Sequence, residues 1–302
     1  MSKILVAGIL QEETIVRVDK IPVKNQPVTE IFNSIHTGIG GDAYNEAIAL
    51  KWLGDDVDFF TMIGKYDSPK IVNPPSSEVF LDTDYILPKA SATPAAVVFY
   101  DRERNQQIFE DIKNLRDTKY DLSLFKQALP GADLVVLANA NFCKPMLRAA
   151  MEAGKKIAVN IRNFKYRTET YNEEFLEAAD ILYLSDDNID DDPYDFCKYI
   201  VDKYKAEILI YGMGADGVLL YSSKLDTYVC YKPVKTNEIV NTVGAGNALF
   251  SCFLHYYNQT GDSTLSIRNA LLFASYKIGF IGTSIGFMTE KQIEDWRELI
   301  WK

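Results

Sequence analysis

Residues 241–254 read NTVGAGNALFSCFL, a run of small residues that leads directly into an apolar pattern with helical spacing. Leu249, Cys252 and Phe253 recur at intervals typical of the buried face of an amphipathic helix. The first turn of such a helix leaves several backbone N–H groups unpaired at the positive end of its dipole. This geometry predicts an anion hole for the oxygens of a transferring phosphoryl group, with the side chain of Asn247 directed at the same point.

A second glycine turn occurs in residues 38–54, GIGGDAYNEAIALKWLG, where Gly40 and Gly41 precede another helical pattern that Gly54 ends. A glycine turn lets the backbone approach a ligand closely. The amide of Asn45 has both donors and an acceptor, which suits the hydroxyl groups of a sugar. Each turn taken alone is also compatible with a plain glycine-rich entry to a helix.

Short apolar runs alternate with helical patterns along the chain, which is typical of a mainly parallel sheet covered by helices on both faces. Strands are predicted at 4–7, 57–63, 134–138, 157–159, 181–184, 208–211 and 218–221. Helices are predicted at 43–53, 145–153, 172–179, 195–204, 246–257, 264–280 and 289–299. The expected fold is a single α/β domain over 1–302, with a three-layer, doubly wound, mainly parallel sheet.

Two stretches break this alternation, within about 14–37 and 92–110. Strand-like residues in the second stretch flank the charged turn Asp101–Asn105. Segments of this kind can pair into a small separate sheet, so we predict a β-sheet lid that excludes water from a two-substrate site. The exposed edges of such a lid predict a homodimer that forms through it.

The composition restricts the partners of the chain. A formal net charge of -10 argues against nucleic acid as a partner, because phosphate contacts need clustered lysine and arginine. The apolar runs are too short to span a bilayer, and the N-terminal residues lack a cleavable signal, so we expect a cytoplasmic protein without a membrane partner. The four cysteines lie far apart and predict neither a zinc site nor a disulfide framework. His255 follows apolar positions of a helix, which favours a packing role.

Two motifs match the signatures of other enzyme classes. GMGADG at 212–217 spells G-x-G-x-x-G, but the residues that follow it predict a strand instead of the helix that a dinucleotide site requires. GTSIG at 282–286 matches the G-x-S-x-G motif of hydrolases, but it follows a helical pattern and no histidine comes after it. A hairpin turn is favoured at the first motif, and an NAD-dependent oxidoreductase is the weakest of three functional hypotheses.

The two glycine turns resemble the signatures of the ribokinase-like (PfkB) carbohydrate kinase family. Residues 40–54 are similar to the N-terminal signature, and residues 241–254 are similar to the C-terminal one, whose usual form is D-T-x-G-A-G-D. The likeness extends from Ile4 to about Gly286. It implies a ribokinase-like fold with a β lid, ATP and Mg²⁺ as cosubstrates, and transfer of the γ-phosphoryl group to a hydroxyl of a polyol, sugar, sugar derivative or nucleoside. It leaves a monovalent cation open as a further cofactor.

The resemblance also implies roles for individual residues. The residues expected to face the acceptor substrate are Glu13, Gly40, Gly41 and Asn45. The residues expected around the nucleotide are Gly214, Gly217 and Ser275. The residues expected to form the anion hole are Gly244, Ala245 and Gly246. An interaction with Mg²⁺ through water is expected of Asp186 or Asp187.

The reacting centre departs from the family pattern. Asn247 stands where the family has its catalytic aspartate, and an amide cannot accept a hydroxyl proton at neutral pH. Loss of a general base lowers a rate by about 10² to 10⁴. Asn241 and the segment Ser185–Asn188 differ as well, and several changes together favour natural divergence over one engineered trap. Two further hypotheses stay open: a kinase, slow or with a base from elsewhere, and a silent pseudokinase that binds a small metabolite or nucleotide.

Overall fold

The structure is a computed structural model of the chain. It describes residues 2–75, 77–103, 105–162, 164–165, 168–186 and 189–301. Within this part of the chain, nine strands form the central sheet. Their spatial order is β13 (Thr227–Tyr231), β12 (Val218–Ser222), β11 (Ile208–Gly212), β10 (Ile181–Ser185), β9 (Ile157–Asn160), β8 (Leu134–Ala138), β1 (Lys3–Ala7), β4 (Asp56–Gly64) and β5 (Ile86–Ala90). The strands from β11 to β5 pair in parallel, and β12 and β13 complete an antiparallel edge.

Helices cover both faces of this sheet. They are α1 (Asp42–Trp52), α2 (Leu122–Ala128), α3 (Lys144–Glu152), α4 (Glu173–Ala178), α5 (Pro193–Tyr204), α6 (Ala245–Thr260), α7 (Ser263–Lys277) and α8 (Glu290–Ile300). Alternate residues of β1 enter different apolar clusters: Ile4 and Val6 pack with α1, α6 and α7, whereas Leu5 and Ala7 pack with α2 to α5. This period of two is the signature of a strand buried on both faces, and it confirms the three-layer α/β prediction.

Four further strands of the described chain form a small separate sheet, in the order β3 (Ile35–Gly40), β2 (Gln11–Arg17), β6 (Ala95–Tyr100) and β7 (Gln106–Asp111). The lid sheet is therefore present. Its strands extend beyond the predicted limits, because β2 begins at Gln11 and β3 continues to Gly40. The pairing of Gln11 with Gly40 brings β2 directly beside the glycine turn that enters α1.

The glycine motif at 212–217 is a hairpin turn, as predicted, since Gly212 of β11 pairs with Val218 of the antiparallel strand β12. The prediction of a helix over 264–280 is wrong at its end. Helix α7 stops at Lys277, and the glycines at 279 and 282 follow, the second with φ +104°. Among the described residues, no helix has the length and apolar character needed to cross a membrane.

His255 has a larger role than the packing expected from the sequence. Its Nδ1 lies 2.8 Å from Oδ2 of Asp55, and its Nε2 lies 3.0 Å from Oε1 of Glu290. Burial by itself would lower the pKa of His255, but the hydrogen bonds and charges of the two carboxylates raise it above the ordinary value. A protonated histidine therefore compensates the charge of the buried Asp55 carboxylate.

We expect His255→Ala to lower the free energy of unfolding by about 3 kcal/mol, because the substitution leaves Asp55 buried and unpaired. A histidine whose pKa is raised in the folded state contributes stability that is fully present below its unfolded pKa. This contribution is lost as pH rises through the folded pKa. Urea denaturation should therefore show a larger loss at pH 6 than at pH 9. Lys235→Ala, in the exposed pair with Glu238, is the control and should change stability by less than about 0.5 kcal/mol.

Candidate active site

The two glycine turns meet at the carboxyl edge of the parallel strands, where Glu46 of α1 joins them. Oε1 of Glu46 accepts a hydrogen bond of 2.6 Å from Nδ2 of Asn160, the last residue of β9. The same oxygen accepts one of 3.2 Å from Nδ2 of Asn247, in the first turn of α6. In open α/β sheets, ligands bind outside this edge.

One of the three residues predicted to form an anion hole before α6 has its N–H group already in use. Gly244 is the N-cap and has φ +78°, a left-handed conformation that favours glycine. The N–H of Ala245 donates to the carbonyl oxygen of Thr242 at 3.1 Å, so it is already used inside the turn. The N–H groups of Gly246 and Asn247, which follow it in the first turn, are therefore the donors best placed for an anion.

A close neighbour leaves no room for a side chain at Gly246. A Cβ atom on Gly246 would lie 2.5 Å from the hydroxyl oxygen of Tyr183 on β10, and one on Gly212 would lie 2.6 Å from the same oxygen. Contacts of this length are not tolerated between real atoms, so the absence of a side chain lets α6 begin against β10. The glycine pattern here reflects packing as well as ligand access.

Glu13 of β2 is held in place beside the second glycine turn. Its carboxylate accepts hydrogen bonds from the N–H of Gly41 at 3.1 Å, from Nε2 of Gln11 at 3.0 Å and from Oγ1 of Thr283 at 2.7 Å. The carboxylate packs against the Cα of Gly40, where any side chain would collide with it. Glu13 also lines a cavity of about 320 Å³ between the lid strands and the loop 281–287.

Several buried polar atoms at this place lack a partner. Within the described part of the chain, six buried side-chain polar atoms have no hydrogen bond, and three of them belong to the two glycine turns. They are Oδ1 of Asn45, Oε2 of Glu46 and Nδ2 of Asn241. Nearly all buried polar groups in native proteins are hydrogen-bonded, so this concentration indicates a region that receives a polar ligand.

Glu46 and Lys277 are the two site residues that sequence reasoning missed. Glu46 has no solvent exposure, and its burial raises the pKa of the carboxyl to about 8, although hydrogen bonds from the two asparagine amides limit the rise. Lys277 is equally buried, and its Nζ donates to the carbonyl oxygen of Val243. The signal in the sequence was a charged residue within an otherwise apolar helical stretch.

The sequence model of the pfkB carbohydrate kinase family matches residues 1–290 of the chain. The chain belongs to this family. A deoxyribokinase of Salmonella typhimurium is 24% identical over 277 residues, which cover 87% of this chain and 88% of that protein. A microbiome-derived acarbose kinase has the same fold, with a TM-score of 0.83, 19% identity and coverage of 97% and 98% of the two chains. Ribokinase from Arabidopsis thaliana, solved with ribose and ATP, gives a TM-score of 0.77 at 16% identity over 97% and 98% of the chains.

In this pfkB family member, two of the three residues predicted around the nucleotide, Gly217 and Ser275, contact one segment, 231–236. Gly217 has φ +105° and its Cα packs against the backbone of Tyr231. Ser275 of α7 donates from Oγ to the carbonyl oxygen of Val234 at 2.8 Å and accepts from the N–H of Thr236 at 3.0 Å. Gly214 is exposed in the turn between β11 and β12. The hydroxyl of Ser275 thus positions the segment.

The acidic residues predicted near Mg²⁺ follow β10. Asp186 is exposed, and its N–H donates to the carbonyl oxygen of Gly212 at 3.0 Å, so it lies at the same edge of the sheet as the glycine turns. Asp187 and Asn188 lie outside the described residues. Within the described ranges, no group of three histidine, cysteine, aspartate or glutamate side chains could hold a metal ion. Water and phosphate oxygens would have to complete the coordination of Mg²⁺.

Arg162 connects the lid sheet to helix α1 of the central domain. Its Nε lies 3.0 Å from Oδ2 of Asp42, the first residue of α1, and its Nη1 lies 2.6 Å from Oε1 of Glu110 on β7. The charges of Asp42 and Glu110 raise the pKa of Arg162 above its ordinary value. Arg162 is therefore neither a solvated surface charge nor a free anion receptor.

We expect Arg162→Ala to raise KM for the acceptor about tenfold and to change kcat less, because the lid loses its ionic connection to α1. Steady-state kinetics with the best acceptor found would measure the effect. Lys198→Ala, which removes an exposed pair with Asp202 on α5, is the matched control and should leave KM unchanged. An equal KM for Arg162→Ala and the unmodified protein would contradict this role.

Proposed function

We propose that this chain transfers the γ-phosphoryl group of ATP to a hydroxyl of a sugar, sugar derivative or nucleoside, within a single kinase domain over 1–302. The observation that carries the proposal is the set of unpartnered polar atoms of Asn45, Glu46 and Asn241 around the first turn of α6. The complex of ribose and ATP with the Arabidopsis ribokinase of the same fold supports the substrate class.

The residues of the chain act mainly by position. The N–H groups of Gly246 and Asn247 hold the transferring phosphoryl oxygens, and Glu13 and Asn45 orient the acceptor beside the glycine turn. The lid excludes water from the reaction. ATP supplies the phosphoryl group, and Mg²⁺ neutralises part of its charge when it is bound, with Asp186 reaching it through water.

Asn247 can orient the acceptor without taking its proton. Because its Nδ2 donates to Glu46, its Oδ1 is the atom left to accept a hydrogen bond from the acceptor hydroxyl. The transition state of phosphoryl transfer is loose in most analyses, and catalysis depends mainly on positioning and electrostatics. A slow kinase is therefore the better supported function. The amide at 247 also favours a second candidate, a silent pseudokinase that binds nucleotide or metabolite.

The test is ADP formation from Mg-ATP with a panel of pentoses, hexoses, glycosides and nucleosides. The panel includes acceptors with an aromatic group, because Trp52 and Phe287 line the cavity beside Glu13. Turnover with any acceptor supports the kinase. No turnover but thermal stabilisation by ATP or by a member of the acceptor panel would favour the pseudokinase. The absence of both turnover and stabilisation by ATP would reject the kinase.

The assembly and location of the protein belong to the same proposal. Strand β7 is exposed along its whole length at one edge of the lid, and the ring of Phe109 is 55% exposed. Pairing of two such edges would give a homodimer. We propose the cytoplasm as its location. Sedimentation velocity should then show twice the chain mass of 34.2 kDa, and Phe109→Asp should shift it to the monomer. A monomer at all concentrations would reject the dimer.

A further inference from the structure

Lys277 lies directly behind the loop that forms the anion hole. It is the last residue of α7 and has no solvent exposure. Its Nζ donates to the carbonyl oxygen of Val243, and it lies 3.4 Å from the place that a Cβ on Gly244 would occupy. The ammonium group is therefore separated from the phosphate side of the loop by little more than the backbone.

The charge of Lys277 is not compensated by an ion pair. Buried lysines are almost always paired, yet among the described residues no carboxylate forms an ion pair with this Nζ at 4.0 Å or less, and its hydrogen bond goes to a carbonyl oxygen. Glu13 is the charged group that acts on it at longer range, and its carboxylate is already bonded to Gly41, Gln11 and Thr283. The first turns of α6, 245–251, and the loop 278–289 carry no ionisable side chain.

We propose that Lys277 is the fixed cation of the anion hole, and that it gains a proton when the phosphate groups of a nucleotide bind in front of Gly244. This inference rests on the proposed function, because it requires a nucleotide at the glycine turn. An uncompensated buried ammonium is unfavourable in the free protein and becomes favourable once an anion faces it. Lys277 is thus a positioning residue that acts through the loop and does not contact the reacting hydroxyl.

Lys277 can change its protonation state near neutral pH. Burial lowers the pKa of its ammonium group to about 7, and the charge of Glu13 opposes the shift. A phosphate charge at roughly 6 Å, with an effective dielectric constant of about 20, would raise the proton affinity about 100-fold. At pH 7.5 a group with a pKa of about 7 is mostly neutral, so nucleotide binding should take up about 0.7 proton per site.

A tethered ammonium also removes the need for a free monovalent cation at this place. Activity should be the same in potassium chloride and in tetramethylammonium chloride. In Lys277→Ala, the space beside the carbonyl oxygen of Val243 becomes available to small cations. Ammonium or methylammonium chloride should then restore nucleotide affinity to this variant and leave the unmodified protein unaffected.

The experiment is titration calorimetry with Mg-ATP at pH 7.5, in two buffers with different ionisation enthalpies. We expect proton uptake for the unmodified protein, none for Lys277→Met, and an affinity of Lys277→Met that is 10- to 100-fold weaker. Lys291→Met, on the exposed face of α8, is the matched control and should keep the proton uptake and the Mg-ATP affinity of the unmodified protein. Thermal melting without nucleotide shows whether each variant folds, and Lys277→Ala with and without ammonium provides the second comparison.

The outcomes separate this inference from the proposed function. Proton uptake and affinity that are equal in the unmodified protein and in Lys277→Met would overturn the role of Lys277 and leave the kinase intact. Absence of ATP binding by the folded, unmodified protein would overturn the kinase proposal, and the inference with it. Failure of ammonium to restore affinity to folded Lys277→Ala would also count against the fixed cation.

Discussion

Gly246→Ala is expected to lower kcat by about 10² to 10³, the size of effect seen when one donor of an oxyanion hole is lost. The added methyl group would lie 2.5 Å from the hydroxyl oxygen of Tyr183 and 3.1 Å from its Cζ. The ring is buried on β10, between the sheet and α6, so it cannot simply rotate away. The first turn of α6 must shift instead, and its N–H groups then miss the phosphoryl oxygens.

The measurement is steady-state ADP formation, with circular dichroism to confirm that the variant is folded. Gly131→Ala is the matched control, because a Cβ at Gly131 meets no atom within 4 Å, and it should retain full activity. Adding Tyr183→Phe to Gly246→Ala removes the closest contact and should recover part of the lost rate. Full activity of Gly246→Ala alone would show that the position of this turn does not limit catalysis.

Local sequence rules were sufficient to predict both glycine turns and most strands of the central sheet. The start of α6 at Ala245 and of α1 at Asp42 follow from small residues placed before apolar helical patterns. The same rules did not predict α2, β5 and β13, since each is short and its residues lack a clear apolar period. The sheet-edge strands depend on tertiary pairing that a single sequence does not display.

The chemistry of the site could be predicted less completely, because its charged groups come from distant parts of the chain. Glu46 meets Asn247 across 201 positions, and Lys277 meets the carbonyl of Val243 across 34. On a helical pattern, one charged residue is normally interpreted as solvent-facing. Only the packing of α1 against α6, and of α7 against the loop before α6, shows that these two ionisable side chains are buried beside the first turn of α6.

The contact between Glu46 and Asn247 changes how the missing aspartate should be restored. Asn247→Asp alone would place a second carboxyl group beside a buried one, where the amide and carboxyl atoms are now 3.2 Å apart. Two carboxyls in such a site share a proton, since one ionises only at the expense of the other. We expect the single variant to be less stable than the unmodified protein at pH 8 and to gain less than about tenfold in kcat.

Glu46→Gln with Asn247→Asp should instead raise kcat by about 10² to 10⁴, the usual contribution of a general base. The side-chain amide that Glu46→Gln introduces keeps an oxygen that accepts from Asn160 and gains an NH₂ group that donates to the new carboxylate. The aspartate is then the single carboxyl of the pair, and it ionises below neutral pH. Steady-state kinetics of all four proteins in this cycle measure the coupling directly.

Glu46→Gln alone provides the control that assigns the base. The carboxyl of Glu46 has a folded pKa raised from the usual 4.5 to about 8, so the native state binds more protons than the unfolded state between these values. Stability of the unmodified protein should therefore fall as pH rises through this window, and Glu46→Gln should flatten the dependence. Its kcat at pH 7 should stay within about threefold, because a buried, protonated carboxyl is not the acceptor of the hydroxyl proton. A collapse of activity in Glu46→Gln would mean that Glu46 itself is the base, and the double variant would then show no gain.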